Sequence, residues 1–193
     1  MSAGARMPGG ASAGAPSGRT RLFFALWPGQ RVRASLSALA RVSKADRGGR
    51  IMQPRNLHLT LAFLGDTVEA HRDAAVVAAS RLKMSPFSLS IDRSGYFRQA
   101  RDRCVFWVGC DAEPSLSALA ASLHAALREA GVPFDRKPFV PHVTLLRDAR
   151  ASTAPLVFPP VLWTVRDFAL IASTRDAHGP LYRIDAGPMG AAT

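Results

Sequence analysis

The pattern His-x-Thr occurs twice in this chain of 193 residues, each time inside an apolar run: Leu57-His58-Leu59-Thr60-Leu61 and Pro141-His142-Val143-Thr144-Leu145. Both runs read as buried strands. Successive side chains of a strand point to opposite faces, so His58 and Thr60 share one face while Leu57, Leu59 and Leu61 take the other. His142 and Thr144 repeat the arrangement. With eight Thr and five His in the sequence, coincidence would produce two such triplets only about 2% of the time. The repeat is therefore read as one structural unit used twice, which restricts the chain to folds built from two similar halves.

The segments around the motifs supply those halves. Arg21-Leu22-Phe23-Phe24-Ala25-Leu26-Trp27, stopped by Pro28-Gly29, suits a central strand. Val32, Leu36, Leu39 and Val42 recur at helical spacing until Arg47-Gly48-Gly49 breaks the pattern. The first motif strand is expected from Leu57 to Leu64, and Asp66 with Glu69 offers a capping box for a helix running to Leu82. Strands are expected at Phe87 to Ile91 and Cys104 to Val108, with a loop or short strand at Gly95-Tyr96-Phe97-Arg98 between them. Leu116, Leu119, Ala120, Leu123 and Leu127 define a helix from Pro114 to Gly131, and the second motif strand follows it. The end of the chain offers a strand from Val165 to Ile171 and an edge strand at Tyr182-Arg183-Ile184.

This order predicts an α+β fold of two pseudo-symmetric lobes, each an antiparallel sheet with helices, around a central cleft that carries the two HxTx motifs. Residues 1–19, mostly Gly, Ala, Ser and Pro, cannot bury enough apolar surface to offset the entropy of ordering and are expected to form a disordered tail. Residues 20–187 are expected to form a single bilobal domain and 188–193 a flexible C-terminus.

Composition narrows the partners. A net charge of +11 favours an anionic ligand, although only Lys44, Lys83 and Lys137 are lysines and the excess Arg accompanies a chain rich in Ala and Gly throughout. No apolar run approaches the roughly 18 residues of a membrane span and the first residues lack the core of a secretory signal, so a cytoplasmic protein without membrane contact is expected. Cys104 and Cys110 lie six apart in a strand-like run, about 20 Å at strand spacing, which predicts free thiols.

Two imidazoles and two hydroxyls converging on a cleft suit phosphate chemistry. One neutral His takes a proton while a protonated His gives one, both near neutral pH. The Thr60 and Thr144 hydroxyls can donate to non-bridging oxygens, and Arg147 can add a bidentate contact to the same phosphate. This argument requires one acid and one base without saying which is which. His71, His124 and His178 are read as structural or solvated. No zinc-ligand spacing, H-E-x-x-H, Walker loop or G-x-G-x-x-G is present, so no metal and no cofactor are expected.

Three stretches, Arg21-Leu22-Phe23-Phe24-Ala25-Leu26, Asn56-Leu57-His58-Leu59-Thr60-Leu61-Ala62-Phe63-Leu64-Gly65 and Arg136-Lys137-Pro138-Phe139-Val140-Pro141-His142-Val143-Thr144-Leu145, make the chain similar to the 2H phosphoesterases. Within them it resembles the bacterial and archaeal RNA 2′,3′-cyclic phosphodiesterases, also called 2′-5′ RNA ligases, over most of residues 20 to 185. The resemblance implies a two-lobed α+β fold with the cleft between the lobes and no metal or nucleotide cofactor. It implies His58 as proton donor to the leaving 3′ oxygen, His142 as the base that activates water, and Thr60 and Thr144 as phosphate-holding hydroxyls. The substrate would be RNA with a 2′,3′-cyclic phosphate terminus, or a nucleoside cyclic phosphate, and the product a 2′-phosphomonoester. Aromatic residues stacking on a base are implied as well, with Phe24, Phe63 and Phe139 as candidates and core packing as the other reading for each. A monomer is expected. The alternatives are reversible 2′-5′ RNA ligation, cleavage of 2′-5′ linkages, or a non-catalytic RNA-end-binding module.

Overall fold

The computed structural model describes residues 18–99, 103–111, 113–151, 156–176 and 179–190. Its elements run β1 (Arg19–Leu26), α1 (Gln30–Arg47), β2 (Arg50–Ile51), a 3-10 turn at Pro54–Asn56, β3 (Leu59–Val68), α2 (Glu69–Ser80), β4 (Phe87–Ile91), β5 (Arg93–Arg98), β6 (Arg103–Gly109), α3 (Pro114–Glu129), β7 (His142–Arg150), β8 (Val161–Val165), β9 (Phe168–Asp176) and β10 (Gly179–Met189). Strands β10-β9-β1-β3-β7-β6-β5 lie side by side in antiparallel order, with β2 also on β7 and β4-β8 as a separate ribbon. The seam is at β3 and β7, which share one paired position, Leu59 with Val143.

About that seam the molecule divides into two similar halves. In each, a strand (β1 or β6) is followed by a helix (α1 or α3) and then by the motif strand (β3 or β7), which returns antiparallel beside the first. The helices are exchanged: α1 packs on β7 of the other half and α3 packs on β3. Each sheet is thus covered by a helix from the opposite half, and one cluster including Leu22, Phe24, Leu36, Leu59, Leu123, Val143 and Leu145 runs through both. Leu59 and Val143 are fully buried. Such burial contributes about 1.5–3 kcal/mol per side chain against about 1 kcal/mol for a backbone hydrogen bond, so packing rather than pairing holds the two motifs together.

Local chemistry explains where the elements begin and end. Glu113 caps α3 by accepting from Leu116 N at 2.7 Å, with Pro114 in the first turn. Helix α1 stops at Gly48, whose φ of 62° is open to glycine. The capping-box expectation at Asp66 is corrected: Asp66 and Thr67 belong to β3, which stays paired with β1 as far as Arg19 and Val68. Gly65, at φ 71°, bends the strand there, and the Asp66 carboxylate lies 3.8 Å from Arg21 across the ladder. Pairing with β1 therefore outcompetes an exposed first turn, and α2 starts at Glu69.

The expected strand from Val165 to Ile171 is in fact two, because β8 pairs with β4 while β9 pairs with β1. Tyr182, Arg183 and Ile184 do lie in an edge strand, β10. That strand runs through Pro188 to Met189, which is buried, and Met84 N donates to Gly190 O. The chain is thus held at 189–190, and the rest of the expected flexible C-terminus, 191–193, lies outside the described residues. Apart from Gly18 and Arg19, the expected N-terminal tail lies outside the described residues, as does His178. Among the described residues no helix is long and apolar enough to cross a membrane.

Candidate active site

Antiparallel strands that meet at Leu59 and Val143 set His58 toward Thr144 and Thr60 toward His142, all four on the face opposite those two buried residues. His58 stands one residue before β3 and His142 opens β7. Both imidazoles and both threonines are half-buried. Each imidazole is held in the same way. Nδ1 of His58 lies 2.7 Å from the Asn56 carbonyl oxygen, and Nδ1 of His142 lies 2.8 Å from that of Val140, two residues upstream in both cases. A carbonyl can only accept, so each Nδ1 carries the hydrogen. Nε2 is thereby left for a ligand in both rings, in the tautomer that can accept a proton.

Strict alternation would turn Arg147 away from this face, since it is five residues from His142. A β-bulge brings it back. Trp107 pairs with Thr144 and Phe106 with Leu146, so Leu145 is an extra residue, and both leucines are buried. The first motif carries the same device: Ala25 pairs with Thr60 and Phe24 with Ala62, leaving Leu61 as the extra residue. A bulge inverts the parity downstream, which places Arg147 in one half and Phe63 in the other on the cleft side. The carbonyl of each extra residue is held from the opposite half, Leu61 O by His124 Nε2 at 2.9 Å and Leu145 O by Met52 N at 2.9 Å. His124 is thus structural, as the sequence suggests, but its contact is with the motif strand itself.

Burial is the largest influence on the His58 imidazole. Opposed by its bond to the Asn56 carbonyl and reinforced by His142 and Arg147, it pushes the group from 6.5 down to about 4. His142 is lowered by burial too, against the Val140 carbonyl and with Arg147 adding to the shift. Arg147 therefore lies close enough to both rings to disfavour their protonation. Its Nε is buried without a hydrogen-bond partner among the described residues.

These shifts set a pH dependence of stability. In the unfolded chain a His titrates near 6.5, so between that pH and about 4 the unfolded state binds the proton that folded His58 does not. Stability is expected to fall as pH drops through this window. The difference between thermal midpoints at pH 7.5 and pH 5 is expected to be smaller in His58→Ala than in the parent; an unchanged difference would contradict the assignment.

Aromatic side chains wall both imidazoles. Around His58 are Phe23 with centroids 4.7 Å apart, Trp27 stacked at 5.8 Å and Tyr182 edge-on at 5.2 Å. Around His142 are Phe97 at 4.9 Å and Trp107 at 6.0 Å. Trp107 fits because it faces Gly95, where a Cβ would stand 2.3 Å from the indole. The sequence candidates fare differently. Phe24 is fully buried against Phe168, so the expectation that it lines the cleft is corrected in favour of core packing, while Phe139 is half-buried and packs against the main core. Phe63 sits with Phe23 and Tyr182 on the cleft side, beneath Arg21. The signal for Phe23 was present in the Phe23-Phe24 pair, but only the register with β3 decides which of two adjacent residues faces the cleft.

Among the described residues no three His, Cys, Asp or Glu side chains converge as a metal-binding set. Cys104 and Cys110 are free; burial pushes both thiols up, Cys110 to about 11, which keeps them unreactive.

The profile of the 2′-5′ RNA ligase superfamily matches residues 29–177. The RNA 2′,3′-cyclic phosphodiesterase of Thermus thermophilus is 35% identical over 176 residues, covering 85% of this chain and 87% of its own. That of Escherichia coli is 34% identical over 171 residues, covering 84% and 94%. The crystal structure of Escherichia coli LigT complexed with 3′-AMP superposes with a TM-score of 0.75 at 32% identity, covering 87% of this chain and 96% of that one.

Proposed function

The chain belongs to the 2′-5′ RNA ligase superfamily, and from that premise we propose that it hydrolyses 2′,3′-cyclic phosphate ends of RNA to 2′-phosphomonoesters by two-histidine acid and base catalysis. The observation that carries the reading is the pair of imidazoles, each fixed by an Nδ1–H bond to the carbonyl two residues upstream, with Nε2 open on one shared face. The RNA 2′,3′-cyclic phosphodiesterases to which it is similar support the substrate.

In the proposed step, a water oxygen attacks phosphorus as His142 Nε2 takes its proton, and the bond from phosphorus to the 3′ oxygen breaks as protonated His58 gives its Nε2 proton to that oxygen. Thr60 and Thr144 donate to the non-bridging oxygens, and Arg147 offsets the charge that develops on them. The lowered His58 value belongs to the free protein, and the negative charge of a bound phosphate raises it, so the imidazolium forms as substrate arrives. Phe23, Trp27 and Tyr182 around one imidazole and Phe97 and Trp107 around the other offer surfaces on which the terminal base stacks. The site is complete within one chain, and we read the protein as a monomer working in the cytoplasm. The same geometry, with a 5′-hydroxyl in place of water, forms a 2′-5′ linkage; the superfamily's description favours this as the second reading.

The test is incubation of the purified, EDTA-treated protein with a nucleoside 2′,3′-cyclic phosphate, the product isomer being identified by phosphorus NMR. A 2′-phosphate is expected. No product from folded protein, or a 3′-phosphate, would overturn the reading.

A further inference from the structure

A cavity of about 800 Å³ opens beside the histidines, between β2 and β7 on one wall and β1, β9 and β10 on the other. Neither histidine lines it, but groups that act on them do. Asn56, whose carbonyl holds His58, Tyr182, which lies edge-on to the His58 ring, and Arg147, which acts on both imidazoles, all line it. Its volume falls in the upper part of the range for ligand sites, about 300–1,000 Å³, and accommodates a nucleotide with its phosphate.

The polar groups in this cavity call for a ligand with two complementary features. Asn56 is 2% exposed; its Nδ2 donates to Pro180 O at 2.6 Å, which fixes the amide and leaves Oδ1 buried without a donor. Buried acceptors are rarely left unpaired. Arg147 Nε is a buried donor without an acceptor. One wall therefore asks for a hydroxyl or N–H and the adjacent group for an anionic oxygen. Arg21 and Arg50 add positive charge from opposite walls. Arg21 lies 3.8 Å from Asp66, and Arg50 donates from Nε and Nη2 to Asp148 Oδ2 at 2.9 and 2.7 Å; all four side chains are about half exposed or more, so solvent screens both pairs and a phosphate can compete with the carboxylates for the guanidinium groups.

We propose that this cavity is a subsite for the nucleotide immediately 5′ of the cyclic phosphate end, with Arg50 and Arg21 holding its linking phosphate and Asn56 Oδ1 accepting a hydrogen bond from its 2′-hydroxyl. The inference rests on the cyclic phosphodiesterase reading and extends it: the preferred substrate is a strand rather than a mononucleotide, and the penultimate residue is recognised as ribose. A deoxynucleotide there leaves Oδ1 unpaired, which discriminates between the two sugars.

The test compares kcat/KM on a nucleoside 2′,3′-cyclic phosphate with that on a trinucleotide carrying the same cyclic end, with ribose or deoxyribose at the penultimate position. In the parent protein the all-ribose trinucleotide is expected to be favoured over the penultimate-deoxy one by about 10-fold. Arg50→Ala and Arg21→Ala are each expected to lower kcat/KM on the trinucleotides by about 10-fold, with Arg50→Glu more severe, while mononucleotide turnover stays within about 2-fold. Equal loss on mononucleotide and trinucleotide, or equal use of ribose and deoxyribose, would overturn the subsite. Absence of 2′-phosphate from every substrate in the parent protein would instead overturn the activity itself.

Discussion

Alanine in place of either His58 or His142 is expected to lower kcat on a nucleoside 2′,3′-cyclic phosphate by about 10²- to 10⁴-fold while leaving the circular dichroism spectrum intact. Neither side chain belongs to the main core, whose members near the seam are Leu59, Leu61, Val143 and Leu145. Deletion of the imidazole removes one bond to a carbonyl two residues away and a ring from an aromatic wall, so the cost to folding is small beside the cost to proton transfer. Asparagine separates the two contributions, since its amide replaces Nδ1 as donor to the carbonyl but offers nothing at Nε2. His58→Asn and His142→Asn are expected to be as inactive as the alanine variants. The double variant is expected to lose little beyond either single one, because an acid and a base that act in one step fail as a unit. Near-normal turnover in both single variants would exclude the two-histidine mechanism.

Much of this arrangement was legible in the sequence because it depends on alternation over short distances. His58 with Thr60 and His142 with Thr144 keep the same face whatever the rest of the fold does, and Pro114 and Gly48 mark their helix ends through local backbone chemistry. What escaped was set by partners far along the chain. Phe23 and Phe24 are equivalent in composition, and only the ladder to β3 sends one to the cleft and the other to the core. Asp66 and Glu69 satisfy a helix-capping pattern, yet β1 extends far enough to claim Asp66 as a strand residue. Trp27, Phe97, Trp107 and Tyr182 converge on the imidazoles from β1 or its end, β5, β6 and β10, a convergence that no local period encodes. The exchange of α1 and α3 between halves is of the same kind, since an amphipathic helix announces its apolar stripe but not which sheet will receive it.

The bulges add a prediction of their own, because Arg147 reaches the site only through the extra residue at Leu145. Arg147→Ala is expected to lower kcat by about 10²-fold, the scale of losing one preorganised donor to a developing oxyanion. Arg147→Lys is expected to recover only part of this, since an ammonium reproduces the charge but not the planar fork. The pH profile distinguishes electrostatic action on the site from mere packing. Burial is the main cause of the low His142 value, but Arg147 adds to it, and the same cation depresses His58. Its removal lets both imidazoles hold their protons to higher pH. The acid limb of kcat/KM, where the base becomes protonated, is therefore expected to move upward in Arg147→Ala and to return toward the parent position in Arg147→Lys. A limb that stays in place, with kcat within about 3-fold of the parent, would mean that the guanidinium merely fills the cleft wall and that the phosphate is held by Thr60 and Thr144 alone.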